Sequence, residues 1–252
     1  MGFGLLLIGD ELLSGKRQDL HFAHMREVLA ARGLEAVWVR IVGDDRERLT
    51  HTLRETFDSG DIVFSFGGIG ATPDDLTRDC AAAALGRAIC RHPEAMAILE
   101  ERFGADIYPN RVRMAELPEG ATLIPNPINR IPGFSLESHH FVPGFPNMAW
   151  PMTEWVLDTC YAHLFNATPP IEQRLIVEGA AESMLIPLME TVLADHPGLK
   201  LSSLPSTTRH SLIELGLRGE QDLVQTAHLQ LLAGLDALGV AHRPVDTAQI
   251  GS

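Results

Sequence analysis

Basic residues are in short supply. The 252 residues hold 20 Lys and Arg against 33 Asp and Glu, a net charge of −13. This balance argues against gripping a nucleic-acid backbone or docking on an anionic membrane, both of which need clustered cations. Cysteine is scarcer still: Cys80, Cys90 and Cys160 lie far apart with no CxxC spacing. That argues against a structural zinc site and fits a reducing compartment. No apolar stretch approaches the length of a membrane span. The opening, MGFGLLLIGDELL, meets acids at Asp10 and has no basic lead, so it reads as a first core strand and not as a signal peptide. A cytoplasmic protein with neither nucleic-acid nor membrane partners is expected. Hydrophobic content is ordinary at 45%, enough for a core in one large domain or two modest ones.

The rest of the chain is organised around Asp61 to Thr77, DIVFSFGGIGATPDDLT. Ile62, Val63, Phe64 and Phe66 form an apolar run that does not alternate, as in a strand buried on both faces of a parallel sheet. Gly67, Gly68 and Gly70 then allow a turn where backbone approaches a ligand closely. A helix is expected to follow at once, with Thr72 as N-cap, Pro73 at its first position and Asp74 and Asp75 in its first turn. Strand, glycine turn and capped helix make a half-site for phosphate, because free amides point outward there. Two carboxylates beside those amides imply a bridging divalent cation, or they only complement the helix dipole.

In chain order, Gly4 to Ile8 is strand one, followed by Gly9, Asp10 and Glu11. Acids at the carboxyl end of a parallel strand lie where open α/β sheets place their ligands. Phe22, Met25 and Leu29 recur at helical spacing, and Gly33 stops that helix. Ala36 to Val42 is strand two and again ends in acids, Asp44 and Asp45; Leu49, Leu53 and Phe57 mark the next helix. Three rounds of strand and helix call for a mostly parallel sheet with right-handed crossovers. The helix after the glycine turn stops at Gly86. A helix is expected over Pro93 to Phe103, a mobile loop over Gly104 to Asn110 and a short helix over Val112 to Gly120. Strands follow at Ala121 to Ile124 and Gly133 to Val142, the latter turning near Glu137. Pro143-Gly144-Phe145-Pro146 then opens a helix around Met148 to Leu164. The adjacent His139 and His140 face opposite sides of a strand, which suits a structural or surface role better than joint metal ligation.

Thr168-Pro169-Pro170 reads as a linker between domains 1–167 and 168–252. Beyond it come a strand (Ile171 to Val177), a helix (Ser183 to Asp195) and two strands (Leu199 to Ser202 and Ser211 to Leu217). A helix (Gln221 to Leu238), a strand (Val240 to His242) and a frayed tail after Val245 complete the chain. This is a small α+β unit of split βαβ type. It holds no GxxG pair of the kind that clamps a nucleic-acid backbone and no aromatic platform for bases, so a lid or oligomerisation role is favoured over RNA binding.

Five motifs stand in register with one family: GDELLSG (Gly9 to Gly15), VGDD (Val42 to Asp45), GGIGATPDDLT (Gly67 to Thr77), NPINRIPGF (Asn126 to Phe134) and PGFP (Pro143 to Pro146). Over about residues 4 to 165 the chain resembles the molybdopterin-binding-like domain of the MoaB, Mog and CinA proteins. The CinA N-terminal type is most similar, and the tail unit resembles the small middle domain of CinA. The resemblance does not extend to the C-terminal amidohydrolase portion of full-length CinA, so deamidation of nicotinamide mononucleotide is not expected of these residues. The family pattern has proline where this chain has Ala71, and a Thr-Asn pair where it has Leu20 and His21. His21 either replaces a polar ligand contact or is plain surface.

The resemblance implies a three-layer α/β/α fold whose pocket takes a phosphorylated small molecule, molybdopterin or an adenine nucleotide. Asp44 and Asp75 match the acids that assist adenylyl transfer to molybdopterin in Mog-type enzymes. In CinA-like proteins the same site is linked to hydrolysis of ADP-ribose-type pyrophosphates, and related domains are linked to FAD cleavage. Asp10, Asp44, Asp74 and Asp75 are the expected holders of a magnesium- or cobalt-type ion. Gly9, Asp10, Glu11, Gly67, Gly68, Gly70, Thr72, Pro143, Gly144 and Pro146 are the expected ligand contacts, with Asp44 and Asp75 catalytic. A pyrophosphatase is the first expectation; adenylylation of the pterin, or a pocket that binds without chemistry, is the alternative. A homo-oligomer, dimer or trimer, is expected by resemblance only.

Overall fold

A computed structural model of the chain describes residues 2–206 and 212–245. They divide into two compact units, Met1–Ala167 and Thr168–Ser252. In the first, β1 (Phe3–Ile8) leads into one turn of helix, α1 (Asp10–Leu13), and then α2 (His21–Ala30), β2 (Ala36–Val42), α3 (Arg46–Asp58), β3 (Ile62–Phe66) and α4 (Thr77–Leu85). A short strand, β4 (Ile89–Arg91), precedes α5 (Pro93–Phe103). After it come β5 (Glu116–Pro118), β6 (Thr122–Ile124), β7 (Gly133–Leu136), β8 (His139–Val142) and α6 (Pro146–Cys160). The six-stranded sheet runs β2-β1-β3-β8-β7-β6, parallel from β2 through β8 and antiparallel at its far edge. It is the mostly parallel sheet that the alternation of strands and helices predicts.

Burial explains the layering. Every residue of β1 and β3 is buried, as expected of central strands covered on both faces. Leu5, Leu7, Phe64 and Phe66 face one core with Met25 and Leu29 of α2 and Met152 and Val156 of α6. Leu6, Ile8 and Val63 face the other, with Leu49 and Leu53 of α3 and Cys80 and Ala81 of α4. The inward stripe of α2 differs from expectation in one residue. Phe22 is 39% exposed, and His21 takes the buried position one turn before Met25. The adjacent histidines do face opposite sides and are both buried. His139 Nε2 lies 2.9 Å from Thr56 Oγ1, whereas His140 contacts Ser135 Oγ at 2.8 Å and Tyr161 OH at 2.7 Å.

Three local expectations fail. The helix after the glycine turn begins at Thr77, not at Pro73, and Thr72 is not its N-cap. Asp75 holds residues 70–75 in a closed loop, so helical geometry starts only beyond it. Gly104–Ile107 is a turn of 3₁₀ helix and not an open loop, because Ile107 is buried against Ala95 and Leu99 of α5. The helix expected over Val112 to Gly120 is a 3₁₀ turn, Arg111–Ala115, followed by β5, which pairs with β4. Leu117 must reach the main core while Val112 and Ala115 reach the smaller one, and an extended β5 allows both.

The second unit consists of β9 (Ile171–Glu178), α7 (Glu182–Asp195), β10 (Lys200–Pro205), β11 (Leu212–Gly219), α8 (Gln221–Ala237) and β12 (Ala241–Pro244). Its antiparallel sheet, ordered β10-β11-β9-β12, packs Leu175, Val177, Leu215 and Leu217 against Leu185, Val192, Val224 and Leu231 of the two helices. This is the split βαβ arrangement read from the sequence. Ser211 and the tail read as frayed lie outside the described residues. Among those described, no helix is long and apolar enough to cross a membrane.

Candidate functional site

Strand register decides where the motif loops meet. Ile8 lies opposite Val42, Leu7 opposite Phe66, and Phe66 opposite Val142. The four parallel strands therefore end level, and the loops starting at Gly9, Gly43, Gly67 and Pro143 open on one rim. The chain leaves β1 toward β2 on one side and returns to β3 on the other. This is a switch point of the kind where open sheets leave a crevice.

A cavity of about 450 Å³ fills that crevice. Of the residues picked out by sequence, Gly9, Glu11, Asp44, Gly67, Gly68 and Gly70 line it. Thr72, Asp74, Asp75, Pro143 and Gly144 complete that set. Asp10 and Pro146 do not line it. The Asp10 carboxylate instead accepts from the Asp44 amide at 3.1 Å, while Asp44 Oδ2 accepts from the Asp10 amide at 3.0 Å. This reciprocal pair ties the loop after β1 to the loop after β2.

The glycine loop is held at both ends. The Gly67 amide donates to Val142 O, and Thr77 donates from its amide to Gly68 O and from its hydroxyl to Gly67 O. Between these anchors Asp75 acts as a brace. Its Oδ1 accepts from the Gly70 amide at 2.8 Å, and its Oδ2 accepts from the Thr72 amide at 2.8 Å and the Thr72 hydroxyl at 2.5 Å. Two groups expected to donate to phosphate, Gly70 and Thr72, are thus engaged inside the loop. The amides of Gly68, Ile69 and Ala71 donate to no partner among the described residues. Arg78, 6% exposed, supports the loop from below by donating to Ile69 O. Gly68 has φ +68°, and a Cβ there would sit 2.1 Å from Thr77 Oγ1. Gly68→Ala is expected to destabilise the protein by about 1–3 kcal/mol, read as a lower urea midpoint.

Burial, first of all, raises the Asp44 carboxyl above the usual carboxylate range; the Asp10 amide partly offsets this, and the negative charges of Asp10, Glu11 and Asp74 add to it. That electrostatic coupling places these acids around Asp44. Asp74, fully exposed, is lowered by the Thr72 hydroxyl and its own amide. An apolar part of the cavity wall escaped the sequence reading. Met114, Ile131, Pro132 and Met148 line it, with Asn129 beside them. The NPINRIPGF motif signals part of this wall, but nothing local in Met114 or Met148 does. Arg17 also lines the cavity, 5.8 Å over the Phe145 ring, and is the cationic side chain on its wall.

Sheet, level strand ends and crevice define an α/β domain with a cavity beside a glycine loop at a topological switch point. The chain belongs to the family described as "probable molybdopterin binding domain", whose profile matches residues 4–163. It is 34% identical over 196 residues to a CinA-like protein of Anaeromyxobacter dehalogenans strain 2CP-C, covering 74% of this chain and 48% of that one. To a CinA-like protein of Geobacter metallireducens it is 32% identical over 240 residues, 91% of this chain and 57% of the other. The chain therefore spans about half the length of these curated relatives. The solved structure of the protein CinA from Thermoplasma acidophilum shares the fold, with a TM-score of 0.58 at 24% identity over 63% of this chain and 98% of that one.

Proposed function

We propose that the cavity binds the diphosphate of an ADP-ribose- or FAD-like nucleotide and that the protein hydrolyses its phosphoanhydride with a divalent cation. One observation carries this reading: Glu11, Asp44 and Asp74 meet the unengaged amides of Gly68, Ile69 and Ala71 in a single cavity. Such amides favour phosphate oxygens, while the carboxylates repel them. Arg17 alone does not offset that repulsion, so a cation is needed between them.

The donor set fits a hard ion of the magnesium type, which takes one or two carboxylates and completes its shell with phosphate oxygens and water. Asp74, with Glu11 beside it, would hold it. Asp10, Asp44 and Asp75 each accept from backbone amides, and among the described residues no group of three or more acids, histidines or cysteines is assembled as a metal cage. When bound, the ion would neutralise charge on the phosphoryl oxygens. The chain's own groups do the remainder. The loop amides orient the phosphate, and the wall of Met114, Ile131 and Met148 shelters the heterocycle from water. Asp44, its carboxyl raised and half-buried, takes the proton of the attacking water.

Incubation with ADP-ribose and FAD, with and without magnesium or cobalt, tests the proposal. Release of AMP is expected only with metal; intact substrates under every condition would overturn it. A second reading, a pocket that binds molybdopterin or nucleotide without hydrolysis, or for adenylyl transfer, is favoured by the engagement of both Asp75 oxygens within the loop. Tight binding without hydrolysis would select it.

A further inference from the structure

Beneath the glycine loop lies a charge that folding alone gives no reason to keep. Arg78 is the second residue of α4 and is 6% exposed. A cation in the first turn of a helix opposes the helix dipole, and an arginine taken out of water costs free energy unless a carboxylate meets it. None does. Burial, first of all, lowers the Arg78 pKa; Asp75, Asp79 and Glu116 offset this only through space, and Arg113 adds to it. Each of the three acids is engaged elsewhere: Asp75 with the amides of Gly70 and Thr72, Asp79 with Arg46 at 3.1 Å, and Glu116 with Arg91 at 3.6 Å. Among the described residues Arg78 therefore forms no ion pair, and it stays charged because a guanidinium starts so far above neutrality.

Its hydrogen bond points to a use. Arg78 Nη1 donates to Ile69 O, and Ile69 lines the large cavity whereas Arg78 does not. The N–H of the same peptide unit, that of Gly70, donates to Asp75 Oδ1 at 2.8 Å. The 69–70 peptide is thus held at both ends, its oxygen by a cation and its hydrogen by an anion. Glycine at position 70 makes this unit easy to rotate. Rotated, it would turn a carbonyl oxygen toward Asp75 and the ligand, and a guanidinium on Ile69 O opposes that. The amides of Ile69 and Ala71, on either side of the held unit, then remain available.

We propose that Arg78 is a positioning residue of the large cavity: through the Ile69 carbonyl it locks the glycine loop with its free amides available, and its uncompensated charge makes affinity rise with the negative charge of the ligand. It does not line the cavity, so it acts through the loop. The carboxylates on the cavity wall repel phosphate, and a positive charge set behind the loop lowers that repulsion at a place where salt screens it little. Stability is given up in exchange. An apolar side chain of similar length at position 78 folds at least as well but leaves the loop without its counter-charge. The inference rests on reading the large cavity as a phosphate site.

The test is titration calorimetry on the full chain in magnesium, with adenosine and with the non-hydrolysable α,β-methylene analogue of ADP, alongside urea unfolding. Wild type is expected to bind the charged ligand at least about tenfold more tightly than adenosine. Arg78→Met should weaken the charged ligand about tenfold or more and adenosine less than about twofold, with a urea midpoint no lower than that of wild type. Arg78→Lys, which keeps the charge, should hold the charged ligand within about threefold of wild type. Equal losses for both ligands in Arg78→Met, or failure of that variant to fold, would show a purely structural arginine and overturn the inference. An Arg78→Lys protein that binds the charged ligand as weakly as Arg78→Met, or a ratio unmoved in both, would overturn it too. Wild type that binds the two ligands equally, or neither, would overturn the phosphate reading and this one with it. The expected ratios without AMP release from ADP-ribose would leave the role of Arg78 standing and remove only the hydrolysis.

Discussion

Asp75→Ala is expected to lower turnover of a nucleotide substrate by at least about 100-fold, because a phosphate site misplaced by an ångström loses most of its advantage. The brace is lost from both ends: the amides of Gly70 and Thr72 and the Thr72 hydroxyl all donate to this one carboxylate. Without it those donors turn to solvent and the loop relaxes. Asp75→Asn keeps a single acceptor oxygen and presents an NH₂ group to a donor on the other side, so it should also abolish turnover while the fold persists. A brace and a reacting group leave different traces. Loss of the brace weakens ligand binding as well as turnover, so Kd for a non-hydrolysable ADP analogue should rise about tenfold or more. Asp44→Asn, in contrast, should lower kcat with little change in that Kd. An unchanged Kd in Asp75→Ala would show that the loop needs no brace. The fold of each variant is checked by far-UV circular dichroism, and the α4 start at Thr77, held by Gly67 and Gly68, should survive.

The second large effect is on stability against pH. Burial, with the neighbouring His140 adding a smaller repulsion, pushes the His139 pKa down to about 3; burial alone pushes His140 down to about 4. In the unfolded chain both titrate near 6.5. Between about pH 6.5 and pH 4 the unfolded chain thus binds protons that the folded chain refuses. Stability rises with pH through that window and is lost on acidification, by roughly 3 kcal/mol per imidazole at pH 4. The hydrogen bonds agree with neutral rings. Thr56 donates its hydroxyl to Leu53 O, so it accepts from His139 Nε2–H, and His139 Nδ1 stays unprotonated and unpartnered. Urea midpoints at pH 7, 5.5 and 4.5 should fall steadily, and His139→Phe, beside Phe57 and Phe141, should flatten the dependence. Equal midpoints at pH 7 and 4.5, or the same slope in that variant, would contradict it.

Both effects come from groups whose types were visible along the chain but whose partners were not. Asp75 stands where a helix-first-turn acid would stand, and local rules for capping point to Thr72 and Pro73. The loop closes instead because a carboxylate reaching back to Gly70 and Thr72 satisfies three donors, a five-residue contact that capping propensity does not weigh. His21 shows the same limit. Its neighbours in sequence allow surface or site, and only the approach of Phe66 and Gly144, 45 and 123 positions away, buries it against β3 and the loop after β8.

The amino-acid order alone determined the alternation of strands and helices, the split βαβ character of the second unit and the glycine turn after β3. These follow from hydrophobic period and turn chemistry, which act over a few residues. It also put acids at the ends of β1 and β2. Tertiary structure decided which of those acids face a common space. Level pairing of β1, β2, β3 and β8 brings Glu11, Asp44 and Asp74 to one crevice, while the exchange of amide contacts between Asp10 and Asp44 keeps the Asp10 side chain off the cavity wall. The apolar wall of Met114, Ile131 and Met148 was likewise left to long-range packing, since methionine and isoleucine read as core wherever they occur until the surrounding chain leaves one of their faces open.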